Sequence, residues 1–115
     1  MESEHDEILL FVTVPDRESS RQIATALVSH KLAACVSAIS DVFSTYRWEG
    51  HVEEASEILL MIKTFNRCFK GIVELINEIH PYDIPEIIAT PVTRIDERYA
   101  GWMRDVVSCT NNGDS

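Results

Sequence analysis

The stretch CVSAISDVFSTYRWEGHVEEASEILLMIKT, residues 35–64, decides the fold. Its first half is rich in β-branched, aromatic and small residues, which favour a strand. Glu49 and Gly50 then predict a turn, because glycine adopts a positive φ at little steric cost. After the turn the chain is first polar and then continuously apolar, as in a strand that enters a core. The stretch therefore predicts an antiparallel β-hairpin with arms over 35–48 and 51–64.

The predicted hairpin is longer than the domain that carries it. An arm of about 14 residues spans roughly 46 Å at about 3.3 Å per residue. A compact chain of 115 residues has a radius of gyration of about 13 Å and is roughly 35 Å across. The tip half carries Phe43, Tyr46, Trp48 and Val52, and its edges offer unpaired backbone groups that invite pairing. We therefore expect a closed homo-oligomer with Tyr46 and Trp48 at the interface, the alternative being arms that are bulged or shorter.

The segments before and after the hairpin each predict a helix and a strand. The run ILLFVTV, residues 8–14, is typical of a strand buried on both faces, and Asp16 predicts the N-cap of a helix over 17–31. After the hairpin, Asn66 predicts a second capped helix. The apolar residues at helical spacing on its buried face are Phe69, Ile72, Val73, Ile76 and Ile79. A last strand over 86–93 precedes a helix that Asp96 caps and that carries Tyr99, Trp102, Met103 and Val106 on one side.

The element order β-α-β-β-α-β-α predicts an α+β fold, the ferredoxin-like sandwich (βαββαβα) with an extended central hairpin. That topology places the first and third strands in the middle of the sheet, and these two carry the strongest apolar runs. We predict a single domain over 1–115 with an ordered core of about 8–107. The polar termini, 1–7 and 108–115, are expected to fray.

The charge of the chain excludes several classes of partner. Ten basic and nineteen acidic side chains give a formal net charge of −9. Nucleic acids and anionic membrane surfaces need a basic footprint, so we expect neither as a partner. No apolar run approaches the roughly 20 residues that cross a bilayer, and MESEHDE at the N-terminus lacks the pattern of a secretory signal. These features predict a cytoplasmic protein.

The cysteines and the acidic residues of the hairpin predict no site of their own. Cys35, Cys68 and Cys109 are an odd number without metal-type spacing, which favours reduced thiols over a disulfide framework. Cys35 is expected to act as a small buried hydrophobe, and Cys68 to be exposed. The acids at 53, 54 and 57 are interpreted as a solvated acidic arm, with weak attraction of cations as the alternative.

The stretch IHPYDIPEI, residues 79–87, gathers polar side chains between two apolar segments. His80 ends a helix, where its imidazole can bond a terminal carbonyl, and the two prolines favour a rigid turn. Tyr82, Asp83 and Glu86 could instead line a ligand cleft, and His80 could contact a metal. We interpret the stretch as a structural turn first and a ligand-lining loop second.

Recognised catalytic motifs are absent from the sequence. It contains no G-x-x-x-x-G-K-[ST], no H-E-x-x-H and no G-x-S-x-G, and has only four glycines. We therefore expect a binding protein without catalytic residues or a cofactor-binding motif. The alternative is a small-molecule enzyme with a site between subunits around His80, Asp83 and Glu86.

Six short segments in register resemble the CutA family of divalent-cation tolerance proteins. They are TVPD (13–16), KLAACVS (31–37), YRWEG (46–50), MIKT (61–64), HPYDIPEI (80–87) and PV (91–92). The resemblance implies a ferredoxin-like fold, a homotrimer built through long hairpins, and an assembly similar to that of PII signalling proteins. It also implies a role in tolerance of, or response to, divalent metal ions, with copper binding in bacterial members.

The copper ligands that the resemblance implies are only partly present. Bacterial copper-binding members carry a cysteine before the T-x-P-D segment and a second histidine before H-P-Y. Val12 and Ile79 occupy those positions here, and only His80 matches. Copper sites need several nitrogen or sulfur ligands, so we predict weak binding of copper or another divalent cation, with His80 as its ligand.

Overall fold

The computed structural model describes residues 6–109 and contains four strands and three α-helices. The elements are β1 (Glu7–Val14), α1 (Arg17–Ser29), β2 (Cys35–Trp48), β3 (His51–Phe65), α2 (Phe69–Ile79), β4 (Ile88–Pro91) and α3 (Glu97–Val106). Their order is the predicted one. None of the helices in this part of the chain is long and apolar enough to cross a membrane.

The four strands form one antiparallel sheet in the order β2-β3-β1-β4. The first and third strands therefore occupy its centre, as the apolar runs predicted. Alternate residues of these strands, Leu10 and Val12 on β1 and Leu60 and Ile62 on β3, are fully buried in one core with α1 and α2. The residues between them face the other side of the sheet, which we call the open face.

The hairpin has its full predicted length. β2 has 14 residues and β3 has 15, and the turn between them holds Gly50 at φ 83°. A bulge between Ile39 and Val42 interrupts the pairing without shortening either arm. The molecule measures 44 × 28 × 27 Å, so one dimension greatly exceeds the other two. Near the tip, Phe43 and Val52 are 76% and 66% exposed, which leaves large apolar side chains without cover.

Two of the three predicted N-cap residues cap their helices, and the third does not. Asp16 and Asp96 cap α1 and α3, accepting from the backbone N–H groups of Ser19 at 2.8 Å and Tyr99 at 3.1 Å. The bond from Ser19 also lowers the pKa of Asp16. The prediction for Asn66 is wrong: residues 66–68 form a 3₁₀ turn, and α2 begins at Phe69 without a side-chain cap.

Two other elements are shorter than predicted. α1 ends at Ser29 rather than at residue 31, because Lys31 adopts a left-handed φ of 61° that a helix cannot continue through. β4 covers only Ile88–Pro91 of the predicted 86–93. The residues before it belong to the connection from α2, where Glu86 takes part in a cleft instead of in the sheet.

A disulfide between Cys68 and Cys109 contradicts the prediction of reduced thiols. It joins the turn before α2 to the segment after α3, across 41 residues of sequence, and Cys68 is buried rather than exposed. Two hydrogen bonds hold the same segment in place: the Ser108 N–H donates to the Lys31 carbonyl at 2.9 Å, and the Arg67 side-chain Nε–H donates to the Cys109 carbonyl at 3.0 Å. The two cysteines meet because the chain returns to this point, which their spacing does not reveal.

The ends of the described chain are more firmly held than the polar composition predicted. Glu7 already belongs to β1 and is buried, and Asp6 forms an ion pair with Arg67 at 2.7 Å. At the other end, Ser108 is hydrogen-bonded to Lys31, and Cys109 forms the disulfide with Cys68. The rest of the predicted frayed termini, residues 1–5 and 110–115, lies outside the described residues.

Candidate functional site

A cleft of about 610 Å³ lies between the hairpin, the end of β1 and the connection from α2 to β4. We call this connection, residues 80–87, the 80–87 turn. The polar and aromatic side chains that line the cleft include Thr13, Tyr46, Trp48, Glu57, Tyr82 and Glu86. Its volume falls within the range of about 300–1,000 Å³ that is common for small-molecule sites.

His80 fastens the 80–87 turn to β1. Its Nε2–H donates to the backbone carbonyl of Thr13 at 2.8 Å, and its Nδ1 accepts from the backbone N–H of Tyr82 at 3.0 Å. One donor and one acceptor on the same ring define the neutral imidazole protonated at Nε2. The side chain is only 8% exposed. His80 therefore performs the structural role predicted for it, although through β1 and Tyr82 rather than through the end of its own helix.

Tyr82 connects the turn to the hairpin through a buried carboxylate. Its phenol O–H donates to Oε2 of Glu57 at 2.6 Å. Burial, then the bond to Glu57 and the negative charge of that group, raise the pKa of Tyr82 well above its ordinary value. The phenol therefore stays protonated and remains a donor to Glu57 at neutral pH.

Glu57 is the site residue that the sequence interpretation missed. It was assigned to a solvated acidic arm with Glu53 and Glu54, and these two are exposed as expected. Glu57 is instead 6% exposed and lies on the open face beneath Tyr82. Glu57 directly precedes the apolar run of β3. This position could have indicated its burial, because strand residues next to a core are usually covered by other parts of the chain.

The structure brings together only some of the predicted cleft residues. Tyr82 and Glu86 line the cleft, and Oε1 of Glu86 accepts from the Thr13 hydroxyl at 3.4 Å. Asp83 is exposed and does not line the cleft. His80 does not line the cleft, and both of its ring nitrogens are hydrogen-bonded, one to Thr13 and one to Tyr82. The set His80, Asp83 and Glu86 therefore does not converge on one point of this cleft.

Tyr46 and Trp48, the predicted interface aromatics, form the hairpin side of the cleft. They alternate along β2 and so share one face of the strand. Both are exposed on the single chain. Their position allows contact with a ligand in the cleft and with a second chain at the hairpin.

The positions that would hold copper do not fit that ion. Val12 is fully buried and Ile79 packs against the core, and neither side chain has a donor atom. His80 would have to give up a hydrogen bond before either nitrogen could coordinate. Within residues 6–109 there is no group of three or more His, Cys, Asp or Glu side chains that could hold a metal ion.

Cys35 lies outside the cleft, and the surroundings of its side chain differ from those predicted. It was expected to act as a small hydrophobe in the core, but its side chain is partly exposed among polar groups on the open face. The Lys63 ammonium donates to its Sγ at 3.7 Å, and the Ser37 hydroxyl lies 3.9 Å from the sulfur. Burial and the nearby thiol raise the pKa of Tyr99.

This fold, a four-stranded antiparallel sheet with three helices, is shared with known proteins. The family model for the CutA1 divalent ion tolerance protein matches residues 8–106. The divalent-cation tolerance protein CutA of Thermus thermophilus is 41% identical over 99 residues, which cover 86% of this chain and 96% of the relative. The chloroplastic protein CutA of Arabidopsis thaliana is 42% identical over 98 residues, which cover 85% of this chain.

A solved structure agrees with the sequence matches. The divalent cation tolerance protein of Thermus thermophilus superimposes with a TM-score of 0.86 at 40% identity, covering 89% of this chain and 99% of that one. The chain belongs to the CutA1 family of divalent ion tolerance proteins. It spans only 54% of the length of the Arabidopsis relative.

Proposed function

We propose that the protein is a homotrimeric binding protein that acts in tolerance of divalent cations by holding a ligand in the cleft between the hairpin and the 80–87 turn. The observation that carries the proposal is the cleft itself, which is lined by acidic and aromatic side chains and whose walls are joined by a hydrogen bond. His80 and Tyr82 fix the turn, and Tyr82 fixes Glu57 on the opposite wall. The tolerance role rests on the family to which the chain belongs.

The trimer, with a PII-like arrangement, is supported by the shape and surface of the hairpin. β2 is an edge strand, and β4 at the other edge has only four residues, so both edges of the sheet offer unpaired backbone groups. The tip adds Phe43 and Val52, which are exposed on the free chain. A neighbouring chain that pairs with these edges would cover the apolar tip and enclose the cleft.

A binding role is favoured over the alternative of an enzyme with a site around His80, Asp83 and Glu86. These residues do not converge, and both nitrogens of His80 already have partners. The family model and the Thermus thermophilus relative are named for tolerance of divalent ions. Hydrolysis or transfer of a small substrate that is abolished by Glu86→Gln would instead favour the enzyme.

Weak binding of copper or another divalent cation at His80 stays a prediction. The imidazole must release Thr13 or Tyr82 before it can coordinate, so we expect dissociation constants in the micromolar range or poorer. Calorimetry of the metal-stripped protein with Cu(II) and Zn(II) tests this, with His80→Asn as the variant and His30→Asn, at the exposed position directly after α1, as its control. Nanomolar binding of one copper per chain, or binding unaffected by His80→Asn, would contradict the prediction.

A cytoplasmic location also stays a proposal. The acidic composition and the absence of an apolar segment of spanning length in the sequence support it. The disulfide counts against this location, because disulfides persist mainly in oxidising compartments. Fractionation of the cells that produce the protein tests the location directly.

A further inference from the structure

We propose that the ligand of the cleft is a small organic cation, with an ammonium or amine group on a compact apolar body. The inference rests on the proposed function, because it gives the ligand class for that same cleft. Three independent properties of the cleft support it: its charge, its size and its aromatic walls.

The charge of the cleft selects cations. Glu57 and Glu86 contribute carboxylates from opposite walls. Among residues 6–109, the side chains that line the cleft include no lysine, arginine or histidine to balance them. Because Glu57 is nearly buried, its interaction with a charged ligand is less screened by water than that of a surface acid. The two carboxylates would repel an anionic ligand.

The size of the cleft favours an organic cation over a bare metal ion. The space of about 610 Å³ accommodates a molecule of several carbon atoms. A divalent ion such as Ca²⁺ requires about six to eight oxygen ligands at short distance. The cleft offers two carboxylates, and one oxygen of Glu57 already accepts from Tyr82. The remaining volume would be left unfilled around a metal ion.

Aromatic residues supply the third property. Tyr46 and Trp48 on the hairpin and Tyr82 on the turn line the same cleft as the two acidic groups. Aromatic faces attract ammonium groups within about 6 Å of the ring centre, and tryptophan does so most strongly. The carboxylates can bind the charge of an organic cation, and the aromatic faces can contact its carbon body.

Three probes with the same body and different charge test the proposal: phenethylamine, phenethyl alcohol and 3-phenylpropionate. Binding is followed by the chemical shift of the Trp48 indole N–H, assigned with a Trp102→Phe variant. We expect the amine to bind at least about tenfold more tightly than the alcohol, and the carboxylate not to bind. Equal affinity for amine and alcohol would overturn the proposal.

Variants locate the binding. Glu86→Gln should weaken binding of the amine by about tenfold, since it removes one of the two carboxylates without changing the shape of the cleft. Glu78→Gln, at an exposed position on α2, is the matched control and should bind like the parent. Loss of affinity in both variants, or in neither, would show that the amine binds elsewhere and would overturn the proposal.

The same experiment separates this inference from the proposed function. If Mg²⁺ or Zn²⁺ shifts the Trp48 signal in a Glu86-dependent way while the amine does not, the ligand class is wrong and the cleft remains the binding site. If a second chain fills the cleft in the assembled protein, no probe will shift Trp48, and both the ligand class and the ligand role of the cleft are wrong.

Discussion

The phenol of Tyr82 donates a hydrogen bond of 2.6 Å to Glu57, a carboxylate that the rest of the chain almost completely removes from water. This contact joins the 80–87 turn to the hairpin and fixes the two walls of the cleft relative to each other. His80 supports the same turn from β1. The shape of the cleft therefore depends on a short chain of bonds from Thr13 through His80 and Tyr82 to Glu57.

Removing the Tyr82 hydroxyl should destabilise the protein. Tyr82→Phe leaves a buried Glu57 oxygen without its donor, so we expect a loss of about 1–3 kcal/mol in the free energy of unfolding. Tyr46→Phe removes a phenol from a more exposed position of the same cleft and serves as the control. Urea unfolding at a fixed protein concentration measures both, and equal midpoints for the two variants would contradict the assigned role of Tyr82.

The raised pKa of Tyr82 predicts a dependence of stability on alkaline pH. The folded chain retains the phenol proton to higher pH than the unfolded chain, whose tyrosine has a pKa of 10.0. The stabilising contribution is therefore complete below about pH 10 and is lost as pH rises through the folded-state value. Stability of the parent should fall more steeply than that of Tyr82→Phe as pH increases above about 10. Parallel curves would show that Tyr82 does not carry this effect.

The disulfide should contribute strongly to stability. Closing a loop with a sequence separation of 41 residues corresponds to about 4 kcal/mol in the chain-entropy model. Cys109→Ser should therefore lower the free energy of unfolding by up to about that amount, whereas Cys35→Ser should have a small effect. Thiol titration of the unreduced, denatured parent should find one free thiol among its three cysteines, and three free thiols would refute the bond.

The two tryptophans offer a matched test of the hairpin interface. Trp48 and Trp102 are both 43% exposed on the single chain, but only Trp48 lies on the hairpin. If Trp48 anchors a neighbouring chain, Trp48→Ala should weaken assembly by about 2 kcal/mol or more, the range of an interface hot spot. Trp102→Ala should leave assembly close to that of the parent. Dilution series in sedimentation equilibrium measure both, and identical dissociation of the two variants would argue against the interface.

Local patterns predicted the parts of the fold that depend on neighbouring residues. The hairpin follows from its strand composition and from Gly50, and the caps Asp16 and Asp96 each act on a residue three positions away. The disulfide and the burial of Glu57 escaped prediction because their partners are distant in sequence. Cys109 lies beyond α3 and 41 positions from Cys68, and Glu57 is covered by a side chain that lies 25 positions further along.

For the 80–87 turn, the sequence indicated a structural role of His80 but not the partners of its ring, because these partners cannot be read from sequence spacing. His80 ends α2, as its position before a proline indicated, but its two ring bonds involve β1 and Tyr82. Sequence spacing identifies a histidine at a helix end and cannot identify which strand lies beside it. The cleft is therefore visible only once the sheet order is known.

Sedimentation velocity of the purified protein at micromolar concentration tests the central claim most directly, because the proposed function depends on a homotrimer. The account predicts a single species of about three times the chain mass of 13.0 kDa, stable on dilution. A monomer of 13.0 kDa at that concentration would contradict it.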